Sequence, residues 1–435
     1  MSQPRFSIVI PTRERARTLH FAIRSCLAQK FDDYEIVVCD NCGSPDTRQV
    51  VESFGTPKIK YVRSDVPLAM SDNWELAVSH ARGEYITVLG DDDALMRHAL
   101  VEAQRLIRVF KTPLLRWSWA FYKWPDYEPP SDANRLYFPL SGQAHRVRSR
   151  QVIKQLLREP RRYHDLPMIY NSLVHRELLD KLRARTGRVF NASSPDVYSG
   201  FALAQLTRDF VSVSRPMGIC GTSSHSNGHA SVYGYAAKSG IAQEFTSFNA
   251  QSGLDWNQAV PEVAKSISAV IAESYAQSVA NLSGEIRFSS GQRRVLVGAI
   301  LHDLWHHPNL TSAERAAAVD RIRPWCAVDG PLKAWFDATA SEYSQRTPAA
   351  KESADYWLKG LGSEGFDIDA SHFGVSDADA AADLIEKLLG CLARPVRIYR
   401  RKPLTIRTVI QTVLPASLYR MLAGNLAAPQ FRKAS

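Results

Sequence analysis

Three consecutive carboxylates, Asp91, Asp92 and Asp93, follow directly on the apolar run at 85–89 and a glycine. Adjacent carboxylates at the end of a buried strand repel one another, and their pKa values rise unless a cation compensates. A divalent ion does this, because hard oxygen ligands suit Mg2+ or Mn2+. Mg2+ ordinarily shares one or two carboxylates with substrate phosphates. The alternative is a solvated acidic loop, and the position straight after YITVLG favours the metal. Thr12 and Arg13 stand in the equivalent place after the run at 6–10, and Asp40 after the run at 35–39. An aspartate after a strand is commonly a turn former or helix cap. Its functional reading here is a carboxylate that accepts hydrogen bonds from a nucleotide base or ribose.

These groups are far apart in sequence, so a fold must bring them together. The first third of the chain alternates strand and helix patterns, as a parallel sheet with crossover helices does. Residues 6–10, 35–39, 60–62 and 85–89 are short apolar strands. Between them, Leu19, Ala22, Ile23, Cys26 and Leu27 recur at helical spacing over 16–29, and Trp74, Ala77, Val78 and Ala81 share one face of a second helix. In open parallel α/β sheets ligands sit beyond the carboxyl ends of the strands. Thr12 with Arg13, Asp40, and Asp91 to Asp93 are therefore expected on one rim. The aromatic run Trp117, Trp119, Phe121, Tyr122 and Trp124 reads first as core and second as an acceptor-facing surface. From about 255 the pattern is mainly helical, giving a division into 1–245, a helical extension 246–390 and a basic tail 391–435.

Three segments carry a resemblance: SIVIPTRERARTL at 7–19, DYEIVVCDNCGSPDT at 33–47 and NWELAVSHARGEYITVLGDDD at 73–93. Together they resemble the family 2 glycosyltransferases with the GT-A fold, densely over the first ~100 residues and more weakly to about 240. The resemblance implies an α/β, Rossmann-like N-terminal domain with a mostly parallel sheet. It further implies that Pro11, Thr12, Arg13 and Asp40 grip the nucleotide, with Ser44 in the polar turn that follows. Asn73 and Arg82 occupy positions similar to donor-site polar residues. The family's Asp-x-Asp element, which binds the metal and the donor diphosphate, corresponds to the triplet, with Gly90 where the first aspartate is expected. Asp92 is then the leading ligand for Mn2+ or Mg2+, with Asp91 and Asp93 beside it. His225, and less directly His229, are candidates for a further metal or diphosphate contact. SSPDVYSGFAL at 193–203 resembles the segment carrying the family's catalytic carboxylate and makes Asp196 the candidate general base. Without that resemblance, Pro195-Asp196 is an ordinary helix start.

The implied activity is inverting transfer of a sugar from a nucleotide-sugar donor, UDP-linked by family habit, to a hydroxyl of a glycan or lipid-linked acceptor. Polysaccharide or lipopolysaccharide assembly would use such a step. Gly90 leaves open a silent nucleotide-sugar-binding scaffold. A sugar-nucleotide pyrophosphorylase is disfavoured, because such enzymes show a glycine-rich phosphate loop after the first strand and PTRER contains none.

Composition narrows the classes. With 435 residues, 45% hydrophobic and 23% charged, the chain is globular and long enough for several cores. Six scattered cysteines suit a reducing compartment, and the start MSQPRFSIVIPT lacks a secretory pattern, so a cytoplasmic location is expected. Cys39 and Cys42 have no second pair at zinc-ribbon distance. Of the net charge of +10, nine positive charges lie between Arg394 and Lys433 with no acid among them, so residues 1–390 carry about +1. A nucleic-acid enzyme would spread basic surface along the main domain. Ile406, Val409, Ile410, Val413 and Leu414 form an apolar stripe beside Arg400 to Lys402. That segment reads either as a peripheral contact with the inner face of a membrane or as a helix packed on the body. Oligomerisation stays open. His302-Asp303-Leu304-Trp305-His306 has the spacing of a zinc-protease helix, but Asp303 is one methylene short of the usual base and Pro308 follows. Helix packing or capping is its expected use.

Overall fold

The computed structural model describes residues 3–226, 239–345, 365–390 and 395–399. Strand β1 (Phe6–Thr12) is buried along its whole length and pairs in parallel with β2 (Tyr34–Asp40) on one side and β4 (Tyr85–Val88) on the other. Strand β3 (Ile59–Arg63) continues the parallel set beyond β2. Such strands read as uninterrupted apolar runs because both faces are covered. Alternation along β1 divides the core. Ile8 and Ile10 face Leu19 and Ile23 of helix α1 (Ala16–Leu27). Val9 faces the layer of Trp74 and Val78 from α3 (Met70–Ser79), which also contains Phe201 and Ala202 of α7 (Pro195–Leu206).

Beyond β4 the sheet changes character. Strand β9 (Ser172–His175) runs antiparallel to both β4 and β6 (Leu114–Lys123), and β10 (Asp209–Thr222) then pairs in parallel with β6. The α/β class and the helical C-terminal part are as expected, but the sheet is mixed rather than mostly parallel. Its strands outside the first four carry aromatic and polar residues whose partners lie far along the chain. The aromatic run lies on β6 and its continuation: Trp117, Trp119, Tyr122 and Trp124 are fully buried, while Phe121 is half-buried.

A third core belongs to the helices, with Ile300, Leu301, Leu304, Ile322 and Phe336 at its centre. Residues 365–390 do not stay with it. Gly365–Asp369 pairs antiparallel with Arg135–Pro139, and helix Ala378–Leu389 packs against α1, its Asp379 pairing with Arg24 of α1 and, at 2.5 Å, with Arg97. This last stretch of the expected extension therefore belongs structurally to the sheet. In the His302–His306 segment, Asp303 accepts from the Ser266 hydroxyl (2.7 Å) and the Ser268 N–H (2.8 Å), tying one helix to the start of another. That is the packing and capping use expected of it. His229 and the apolar stripe of the tail lie outside the described residues. Among the described residues no helix is long and apolar enough to cross a membrane.

Candidate active site

The parallel register sets Thr12 opposite Asp40, so the loops after β1 and β2 leave the sheet side by side. The Asn41 N–H donates to the Thr12 carbonyl (2.9 Å), and Arg13 Nη1 donates to the Asn41 carbonyl (2.9 Å). The loop after β4 joins them: the Thr12 hydroxyl donates to Asp91 Oδ2 (2.6 Å), and Arg15 Nη1 pairs with Asp91 Oδ1 (2.9 Å). Arg15 also donates to the His225 carbonyl beyond β10. Burial works against the Arg15 charge, but Asp91 and Asp92 outweigh it and its pKa is raised. Asp91 is raised by burial and by Asp92, with Arg15 pulling the other way. These loops open into a cavity of about 750 Å³ lined by Pro11, Thr12, Arg13, Asn73, Asp91 and Asp92. Asp196 and His225 line it too.

Asp196 reaches the cavity from the first turn of α7, placed there by Pro195. It is half-buried, and burial raises its pKa against the lowering effect of hydrogen bonds from its own and the Val197 backbone N–H. A carboxylate so placed is a stronger base than one in water, which suits removal of a hydroxyl proton. Asn73, buried on α3, accepts from the Cys39 thiol (3.3 Å).

The aspartate triplet splits into three jobs. Asp91 ties the β1 loop. Asp92, only 5% exposed, faces the cavity and takes Ser223 Oγ (2.9 Å) and Ser226 Oγ (2.5 Å) on one carboxylate oxygen. Asp93 is wholly buried and does not line the cavity. Its oxygens accept from the Gly90 N–H (2.8 Å), the Gly221 N–H (2.7 Å) and the Tyr170 hydroxyl. It is therefore a fastener between the β4 loop and β10, not the metal ligand the resemblance implied. Among the described residues no three His, Cys, Asp or Glu side chains are grouped to hold a metal ion. What the donor set fits is a hard cation held by Asp92 together with donor phosphates. The His225 ring, with Nδ1 at 2.8 Å from Ser224 Oγ, lies on the same cavity.

Gly90 has a local reason. A Cβ there would stand 2.6 Å from Asp93 Oδ2 and 3.2 Å from the Tyr170 hydroxyl. A side chain at 90 is excluded by the carboxylate that locks the loop to β10. Gly90→Ala should lower stability by about 1–3 kcal/mol, as overpacking does, measured as a lower urea midpoint; an unchanged midpoint would mean that Asp93 swings aside freely.

Three further expected donor residues are not on the cavity. Asp40 is fully buried, and its oxygens are taken by the Gly43 N–H (2.8 Å) and the Tyr61 hydroxyl (2.7 Å). Its neighbour Asn41 lines the cavity in its place. Ser44 precedes helix Pro45–Ser53 as its N-cap and stays outside the lining. Arg82 sits before β4, at the amino end of the strands and thus on the opposite rim, where it pairs with Glu35 (2.9 Å). Arg15, Tyr170, Ser223 and Ser226 were not foreseen. Arg15 alone had a signal, as a second base in the first loop. The serines depend on β10 meeting the β4 loop, which no local pattern encodes.

The cavity lies at the carboxyl ends of β1 and β4, the place where open α/β sheets take ligands, and arginines and carboxylates line it together. Residues 7–178 match the family described as Glycosyl transferase family 2. A GalNAc(5)-diNAcBac-PP-undecaprenol beta-1,3-glucosyltransferase of Campylobacter jejuni is 36% identical over 100 residues, 22% of this chain and 32% of that protein. An Escherichia coli UDP-Glc:alpha-D-GlcNAc-diphosphoundecaprenol beta-1,3-glucosyltransferase is 29% identical over 94 residues, 22% of this chain and 37% of the relative. The chain thus spans about a third of the length of these curated relatives. The structure of S. aureus TarS 1-349 in complex with UDP-GlcNAc is similar with a TM-score of 0.42 at 14% identity, covering 78% of this chain and 89% of that one.

Proposed function

We propose that the chain transfers a sugar, with inversion, from a nucleotide-sugar donor to a hydroxyl of a glycan or lipid-linked acceptor. A UDP-sugar is the favoured donor, because UDP-glucose appears in the name of a relative and undecaprenol-linked acceptors in the names of two. One observation carries the reading: a single cavity is lined by the β1 loop, by Asp91 and Asp92 after β4, and by Asp196 at the head of α7. Arg13 and Arg15 supply positive charge where a diphosphate would lie. Asp91 holds Arg15 and Thr12 in place. Asp92 would hold Mg2+ or Mn2+, which when bound neutralises charge growing on the departing diphosphate. Asp196 takes the proton from the acceptor hydroxyl as its oxygen attacks the anomeric carbon from the face opposite the leaving group. A single displacement inverts that carbon. The acceptor's lipid would place this chemistry at the inner face of a membrane.

The test is a panel of UDP-, GDP- and dTDP-sugars in thermal shift, with and without Mn2+, followed by transfer assays. A donor at 100 times its dissociation constant should stabilise the fold by about 2.7 kcal/mol. Asp92→Asn should remove the manganese-dependent part of that shift. Binding without transfer to any acceptor would favour the silent scaffold, and no shift with any donor would end the proposal.

A further inference from the structure

One wall of the cavity comes from the helical part of the chain. Helix Ile267–Leu282 turns Ile267, Val270 and Glu273 toward it, three residues apart and so on one face. The 3-10 turn Pro160–Asp165 packs against that helix and brings Tyr163 and His164 to the same cavity. Trp256 completes the wall, its ring fixed by an indole N–H donated to the Val260 carbonyl (3.0 Å).

Two residues on this wall carry buried polar atoms that have no partner among the described residues. Glu273 is 2% exposed; it is hydrogen-bonded to the Gln277 side chain and the Asn257 backbone, yet its Oε2 is buried with no partner. Burial, only partly offset by those bonds, pushes its pKa up to about 7. His164 lies against Tyr163, with ring centroids 4.0 Å apart, and both its ring nitrogens are buried without a partner. Burial and then Arg116 lower its pKa to about 3, so the imidazole is neutral, with one donor and one acceptor nitrogen. Buried polar atoms are almost always satisfied, and an orphan costs about 1–3 kcal/mol. Glu273 and His164 stand on separate elements and both line one cavity, so a ligand there that reached their unpartnered atoms would satisfy both. Such a ligand carries several hydroxyls, each a donor and an acceptor, and an apolar ring face to lie on Trp256 or Tyr163. A pyranose has that chemistry; a phosphate does not, since it would meet the Glu273 carboxylate.

We propose that this wall is the acceptor-sugar subsite, in which Glu273 Oε2 accepts a hydrogen bond from an acceptor hydroxyl and the His164 imidazole makes a second. The subsite rests on the transferase reading above. Glu273→Gln keeps the size of the side chain and replaces one of its two acceptor oxygens with an NH2 donor.

The experiment uses the full chain and saturation-transfer NMR with the methyl glycosides of glucose, galactose and N-acetylglucosamine, with UDP binding followed in parallel by calorimetry. At least one glycoside should bind, and Glu273→Gln should raise its Kd about tenfold, or about 1.4 kcal/mol. UDP affinity should stay within twofold. An unchanged glycoside affinity, or no binding of any of the three, overturns the subsite. Glycoside binding that depends on Glu273 while UDP does not bind at all would overturn the donor reading and leave the sugar subsite standing. Should Glu273→Gln misfold, His164→Gln carries the same expectation for the glycoside.

Discussion

Asp196→Asn should lower kcat by about 10²–10⁴, the usual worth of general-base assistance, while leaving donor affinity unchanged. The amide keeps the size and polarity of the side chain at the start of α7, so the helix is retained. It cannot accept a proton, so the acceptor hydroxyl attacks unassisted. Wild-type kcat/KM should also carry an acid limb belonging to this group. The base works only when ionised, and burial raises its pKa. Activity is therefore lost as pH falls through a value above the ~3.9 of a free aspartate, and the limb should vanish in the asparagine variant. NMR of the product should show an inverted anomeric centre. A retained configuration, or a variant with full kcat, removes Asp196 from this role.

The contrast between Asp196 and Asp40 shows what the sequence made legible. Strand placement followed from apolar runs alone, because β1, β2 and β4 are buried on both faces and stop at polar loops. That sufficed to put Thr12, Arg13, Asp91 and Asp92 on one rim. Which way each side chain turns was not legible. Asp40 ends its strand as expected, yet Tyr61 from β3 and the Gly43 turn draw its carboxylate inward. Arg82 was misplaced for a simpler reason: it precedes a strand, and in a parallel sheet that is the wrong end. The pairings furthest in sequence, such as Ser223 with Asp92 and Gly221 with Asp93, had no local signature. They depend on β10 crossing to β6, more than 80 residues earlier in the chain.

Asp93→Ala should cost roughly 3–5 kcal/mol of stability, because it orphans several buried donors at once at about 1–3 kcal/mol each. The Gly90 and Gly221 N–H groups and the Tyr170 hydroxyl all point at this carboxylate. Water cannot replace it easily, since a Cβ at Gly221 would already lie 1.8 Å from the Asp92 carbonyl, so the two segments are in contact there. The measurement is a urea melt of Asp93→Ala beside Asp92→Asn. If Asp93 fastens the loop, the alanine variant melts far earlier, whereas Asp92→Asn, whose amide oxygen can still accept from Ser223 and Ser226, keeps its midpoint and loses the manganese effect. Reversed behaviour, with a stable Asp93→Ala that no longer responds to manganese, would make Asp93 the ligand and require its side chain to leave the position seen here. The two aspartates are adjacent in the turn after β4, and their carboxylates take different partners, Ser223 and Ser226 for Asp92 and the Gly90 and Gly221 N–H groups for Asp93. One turns into the sheet to hold the loop closed, and that rigidity fixes where the other can present its charge.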